Sequence, residues 1–89
     1  MNATMRKELR KAIGLLEDAA PKIDEARAIV ESAVQEAWDK FEAMTEKAQE
    51  GERGQRIKEI AEALEAALLD IEQMVVQDVI ENIDNAAGE

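Results

Sequence analysis

Arg53 and Arg56 stand within two residues of Gly54, in a stretch that begins Gln49-Glu50-Gly51-Glu52-Arg53-Gly54-Gln55. Guanidinium groups at the start of a helix suit a phosphate or a carboxylate, because the helix N-terminus also favours negative charge. A plainer use of the same residues is a turn, with Arg53 paired to Glu46 or Glu50. Carboxylates are the other abundant type, 21 Asp and Glu against 11 Lys and Arg. Pairs one helical turn apart, such as Glu42 and Glu46, are what any exposed helix presents. Carboxylates become a di-metal site in a four-helix bundle with the help of Glu-x-x-His motifs, and the chain has neither His nor Cys. The usual zinc, haem and iron–sulfur ligand sets and thiol catalysis are therefore out of reach. Thr4, Ser32 and Thr45 have no imidazole base to activate them. The reading is a protein that is not an enzyme and takes no cofactor.

The formal charge is −10, and it is uneven. Residues 1–14 carry Arg6, Lys7, Arg10 and Lys11 against Glu8, a net of +3, so the rest carries −13. Such a balance opposes binding to nucleic acid and suits a basic protein surface, or mimicry of a nucleic acid's charge. No apolar run approaches the ~20 residues of a membrane span, and the polar, basic start is not followed by the apolar core of a signal peptide. A soluble, cytoplasmic protein without a membrane role is expected. The apolar fraction is 46% with only four Gly and one Pro, a composition of helices and not of a disordered acidic chain.

These residues must be positioned by helices. One position of a heptad frame carries Leu9, Leu16, Ile23, Val30, Ala37 and Met44; the other carries Ile13, Ala20, Arg27, Val34, Phe41 and Ala48. The 3-4 spacing predicts a coiled-coil-like stripe. The phase does not slip at Pro21, which favours one helix kinked there over a break at 19–22. A second run, Ile57, Ala61, Leu64, Leu68, Ile71 and Val75, keeps the same spacing. Beyond it Met74, Val75, Val76, Val79, Ile80 and Ile83 cover more than one face. The predicted fold is all-α: a single domain built as an antiparallel long-helix hairpin. Its first helix covers about 4–50, its tip 51–54, its second helix about 55–84, and a short tail follows. Gly51 is expected to end the first helix in a left-handed conformation and Gly54 to admit the chain into the second. The first helix then outreaches the second, and one apolar seam is too little to order 89 residues. Assembly with at least one further copy into a bundle follows. The interface candidates are Leu9, Ile13, Leu16, Arg27, Val75, Val76, Val79, Ile80 and Ile83. Arg27 interrupts the seam and serves as a register-setting residue or as a cation awaiting an anion. Trp38 serves in packing beside Phe41 or as an exposed anchor for a partner.

The residues Arg10-Lys11-Ala12-Ile13, Gln35-Glu36-Ala37-Trp38-Asp39 and Gln49-Glu50-Gly51-Glu52-Arg53-Gly54-Gln55 together resemble small acidic helical proteins of bacteriophages and prophages, a group of uncharacterised function. The Glu-Arg-Gly stretch is the specific part. The chain lacks the proline that the group carries after the position of Phe41, and has Gln55 where Glu is usual. The first departure implies a shorter loop and a longer first helix. The resemblance implies a phage or prophage origin, hence the cytoplasm of a bacterial host.

Three functions compete on these grounds. The leading one is a non-enzymatic binder that inhibits a host protein, most concretely an anti-defence protein of the anti-CRISPR kind. It would lay acidic helix faces against a basic surface of a host or phage protein, with Trp38, Glu42, Glu46, Glu50, Arg53, Arg56, Glu59 and Glu62 as contact candidates. The second is a structural or scaffolding coiled-coil oligomer. The third is a sponge for a signalling nucleotide, held by an oligomer through Arg6, Arg10, Arg27, Arg53 and Arg56.

Overall fold

The computed structural model describes residues 2–88, and among them every regular element is helical. Four helices follow one another: α1 Ala3–Glu42, α2 Glu46–Glu50, α3 Glu52–Glu72 and α4 Val76–Gly88. At 1.5 Å per residue α1 is ~60 Å long, α3 ~31 Å and α4 ~20 Å. Asn2 starts α1: its Oδ1 accepts a hydrogen bond from the Met5 N–H at 2.8 Å, satisfying a donor that the first turn leaves open. The helix runs unbroken through Pro21.

The chain divides into two compact units. One joins the residues up to Glu25 with those from Met74 on; the other is Ala26–Gln73. The second unit is a helical hairpin. Its first arm is the C-terminal part of α1, its return arm is α3, and both turn their 3-4 stripe inward. Val30, Val34, Ala37 and Phe41 are half-buried, as are Ile57, Leu64, Leu68 and Ile71, and Ala61 is fully buried. In the first unit Ile80 and Ala87 of α4 are buried, while Leu9, Ile13, Leu16, Ala20 and Ile23 of α1 are half-buried.

Two helix limits differ from those that periodicity predicts. The first helix ends at Glu42, not near 50. The heptad frame carries Met44 and Ala48 in phase, so the stripe conceals the turn. What ends the helix is local: Thr45, with extended backbone (φ −63°, ψ 156°), accepts a hydrogen bond on its side chain from the Ala48 N–H and so opens α2. Such a cap contributes about 1 kcal/mol. Thr45→Ala is expected to lower the melting temperature by ~4–8 °C, read by circular dichroism.

The second difference is a break at residues 73–75. Carried on from Leu68 and Ile71, the 3-4 phase would place Val75, Asp78, Asn82 and Asn85 on the inner face. Three of those four are polar. A re-phasing of one to two residues inserts Val76, Ile80, Ile83 and Ala87 instead, and these are the covered residues of α4. The cost is an interrupted helix and exposed Met74, Val75 and Val79. With the turn moved toward the N-terminus and α4 added, the early part of α1 has a partner within its own chain. The overhang that the predicted limits imply is therefore absent.

Candidate functional site

The corner between α1 and α3 is built from the stretch that singles itself out in the sequence. Gln49 Nε2 donates to the Phe41 carbonyl at 2.9 Å and to the Met44 carbonyl at 3.3 Å, which closes the C-terminal end of α1. The Gly51 N–H donates to the Ala48 carbonyl at 3.1 Å. Gln55 Nε2 donates to the Gln49 carbonyl at 2.9 Å, tying the first turn of α3 back onto α2. Gly51 has φ −76° and ψ 174°, an extended conformation open to any residue, so the expected left-handed cap does not form. Gly54 does not admit the chain into α3 either, since it lies inside that helix and is buried. Its role is contact. A Cβ at residue 54 would stand 2.4 Å from the Ala48 carbonyl oxygen and 2.5 Å from that of Gln49. Glycine is what lets α2 and α3 touch backbone to backbone.

The two arginines lie outside this work. Arg53 and Arg56, with Glu52, line an open depression on the surface of α3. Among the described residues Arg53 forms no ion pair with Glu46 or Glu50, whereas Lys40 pairs with Glu36 at 3.6 Å, both side chains exposed. Of the five arginines considered for an anion, these two are brought together. Arg27 is exposed. Arg6, in the other unit, is half-buried, and its Nε is covered without a hydrogen-bond partner.

The hairpin presents two distinct flanks. On α1, Glu36 and Trp38 stand ~100° to either side of inward-facing Ala37. On the Glu36 side, Ala33, Glu36, Ala37 and Lys40 form a shallow groove with Ile57, Ile60 and Leu64 of α3. Ile60 is 51% exposed, and Ile29, one turn before Ala33, is 65% exposed. By 3-4 spacing Arg53 and Arg56 share this face of α3 with Ile57 and Ile60. On the Trp38 side, the indole N–H donates to Glu65 Oε1, and the ring meets Phe41 edge-on at 5.9 Å between centroids. Glu62, Glu65 and Glu72 then line a shallow depression with Ala66, Leu68 and Leu69. Leu69 is 55% exposed. One flank carries both signs of charge around an apolar groove; on the other, the charged residues that line the depression are carboxylates, set around an apolar knob.

The contact candidates named from the sequence scatter over this frame. Glu42, Glu46, Glu50, Glu59 and Glu62 are all exposed, on α1, α2 and α3. Glu59 and Glu62 neighbour one another on α3, and Glu62 belongs to the acidic flank. Trp38 is half-buried and packs within the hairpin. Among the interface candidates, Ile80 is buried, while Leu9, Ile13, Leu16, Val76 and Ile83 are half-buried within their own unit; Val75 and Val79 remain open. Glu65 and Glu72 were not foreseen. The signal for Glu65 was the indole N–H of Trp38, which needs an acceptor from whatever helix lies opposite. Among the described residues no group of three His, Cys, Asp or Glu side chains converges to hold a metal, and no helix is long and apolar enough to cross a membrane. No family model, curated protein or solved structure matches the chain.

Proposed function

We propose that this chain is a non-catalytic binding protein, self-associated in its working state, that offers carboxylates to a basic surface of another protein. Its concrete form is a phage-type anti-defence inhibitor acting in the bacterial cytoplasm. The observation that carries this reading is the acidic flank: Glu62, Glu65 and Glu72 ring exposed Leu69 with no cation among the residues that line the depression. A carboxylate ring steers and selects a basic partner, and an exposed leucine inside it supplies a contact from which water is expelled. Glu59 extends the same charge along α3, and Glu42, Glu46 and Glu50 extend it around the corner. Arg53 and Arg56 stand on the other face of α3, where they do not cancel it. The resemblance to phage proteins at the Glu-Arg-Gly stretch supports the setting and says nothing of the partner.

The test is affinity capture from a bacterial lysate with the wild-type chain and with Glu59, Glu62, Glu65 and Glu72 all changed to Gln. The wild type is expected to retain one basic protein, released by raising salt from ~50 to ~300 mM as screening shortens the reach of the charges. The neutralised variant is expected to retain less than a hundredth as much. Equal capture by both overturns the reading.

Self-association has its own support. Among the described residues no large side chain is fully buried, and the buried apolar residues are Ala61, Ile80 and Ala87. A structural oligomer without a second partner rests on that same observation. The two readings part at Arg53→Ala with Arg56→Ala and at the acidic flank. A purely structural oligomer is indifferent to both changes.

A further inference from the structure

We infer that a second copy of this chain lays its basic N-terminal face on the acidic flank of the hairpin. Such docking rests on the self-association proposed above, and it gives the flank a first occupant that a basic partner must displace. A purely structural oligomer, indifferent to the flank, is a different assembly.

Two helix faces fit one another. On α1, Thr4, Lys7, Lys11, Gly14 and Asp18 recur at 3-4 spacing and are all exposed, on the side away from half-buried Leu9, Ile13, Leu16 and Ala20. On α3, Lys58, Glu62, Glu65, Leu69 and Glu72 each follow an inward-facing residue by one position and are likewise exposed. Run antiparallel, the two spacings coincide at every step. Lys11 then stands level with Glu65, and Asp18 with Lys58. Lys7 stands level with Leu69, which is 55% exposed. The lysine stem covers the leucine while the ammonium reaches Glu72, ~4.5 Å farther along the axis. Gly14 stands level with Glu62, and nothing lies within 4 Å of the Cβ it lacks, so the helices can approach closely there. Slipped by one heptad, the same faces oppose like charges. Lys11 meets Lys58 in one direction, and Asp18 meets Glu65 in the other. Charge thereby selects the register, as polar residues do in coiled coils.

The seam is short. It spans about 14 residues, ~21 Å, and one helix is ~10 Å wide, hence ~200 Å² in projection. Each copy carries one face of each kind and so makes two such contacts. This stays below the ~800 Å² that a standard interface takes from each partner. The association is accordingly weak and sensitive to salt, as an occupant that yields to a tighter partner must be.

Sedimentation of the full chain at ~50 mM salt is expected to show association that grows with concentration and disperses at ~300 mM. Two variants reverse one face each: Lys7→Glu with Lys11→Glu, and Glu62→Lys with Glu72→Lys. Alone, each sets like charges on like, and its Kd is expected to rise at least about tenfold. Mixed in equal amounts, the two supply each other's missing complement and are expected to associate as well as the wild type does. Mixing cannot rescue a misfolded chain, so the mixture separates a lost contact from a lost fold. Asp18→Lys is expected to weaken association, and adding Lys58→Asp in the same chain to restore it, which reads out the antiparallel register. The inference is overturned by a wild-type monomer at every concentration, by an oligomer indifferent to either reversed face or to Asp18→Lys, or by a mixture that stays dissociated. The Lys7→Glu, Lys11→Glu chain keeps its flank intact and unoccupied. Partner capture that fails with that chain while the mixing result holds counts against the basic-partner reading alone.

Discussion

Gly54→Ala is expected to be the most damaging single methyl group in the chain. Its Cβ would meet three backbone atoms: the Ala48 oxygen at 2.4 Å, the Gln49 oxygen at 2.5 Å and the Gln49 Cα at 2.6 Å. None of these can rotate away as a flexible side chain would, so α2 must retreat by ~1 Å from α3. That retreat stretches the Gln55–Gln49 hydrogen bond and pulls Gln49 off the Phe41 and Met44 carbonyls. Overpacking costs ~1–3 kcal/mol, and each weakened hydrogen bond ~1 kcal/mol. The gain in helix propensity from Gly to Ala returns ~1 kcal/mol. The net loss is ~2–4 kcal/mol, a fall in melting temperature of more than ~10 °C for a chain of this size. Gly14→Ala is the matched control. Gly14 lies inside α1, and nothing stands within 4 Å of the Cβ that would be added. There the same substitution is expected to stabilise by ~1 kcal/mol. Thermal melts of opposite sign support backbone contact at the corner; a Gly54→Ala chain as stable as wild type refutes it.

This places the Glu-Arg-Gly stretch among structural motifs. Gly54 is needed where two helix backbones touch, and Gln49 and Gln55 lock the same contact. Arg53 and Arg56 are carried on the outer surface of the construction and are free to serve recognition. A backbone contact and a pair of exposed arginines are therefore both present, on different residues of one heptapeptide and its neighbour.

How much of this could be read in advance depends on the kind of signal. Helix content and the inner stripe follow from 3-4 spacing, and the seam residues from Leu9 to Phe41 are covered wherever they are apolar. Arg27, the one exception in the stripe, is exposed. The corner was misplaced because paired glycines are a louder turn signal than Thr45, and because Met44 and Ala48 happen to keep the heptad phase through it. The break before α4 was legible: Asp78, Asn82 and Asn85 hold the positions that an unbroken stripe would bury, and Val76, Ile80, Ile83 and Ala87 offer the alternative. The flanks were not legible. Whether Glu65 faces Trp38, or Ile60 joins a groove with Ala33, depends on where two helices are folded against one another. A shift in the corner changes every such pairing.

Pro21→Ala is expected to act in the opposite direction to the corner variant. Proline in a helix interior is ~3 kcal/mol less favourable than alanine, because it offers no N–H and its ring presses on the carbonyl four residues back, here that of Glu17. Pro21 is exposed and lies inside α1, which continues for some twenty residues beyond it. Little burial is lost when the ring goes. Part of the gain is offset, since proline also restricts the unfolded chain, an effect of ~0.4–1 kcal/mol. A net gain of ~2 kcal/mol raises the melting temperature by ~8–16 °C. A chain that gives up so much stability at one exposed residue has a use for the proline, or carries a cost that selection has not removed. Partner capture decides between these. A stabilised Pro21→Ala chain that captures its partner as before shows a tolerated defect. A stabilised chain that captures poorly shows that the line of α1 at Pro21 is part of the binding geometry. A lower melting temperature contradicts the premise itself, for it means that the folded state makes better use of the proline than of a regular helix.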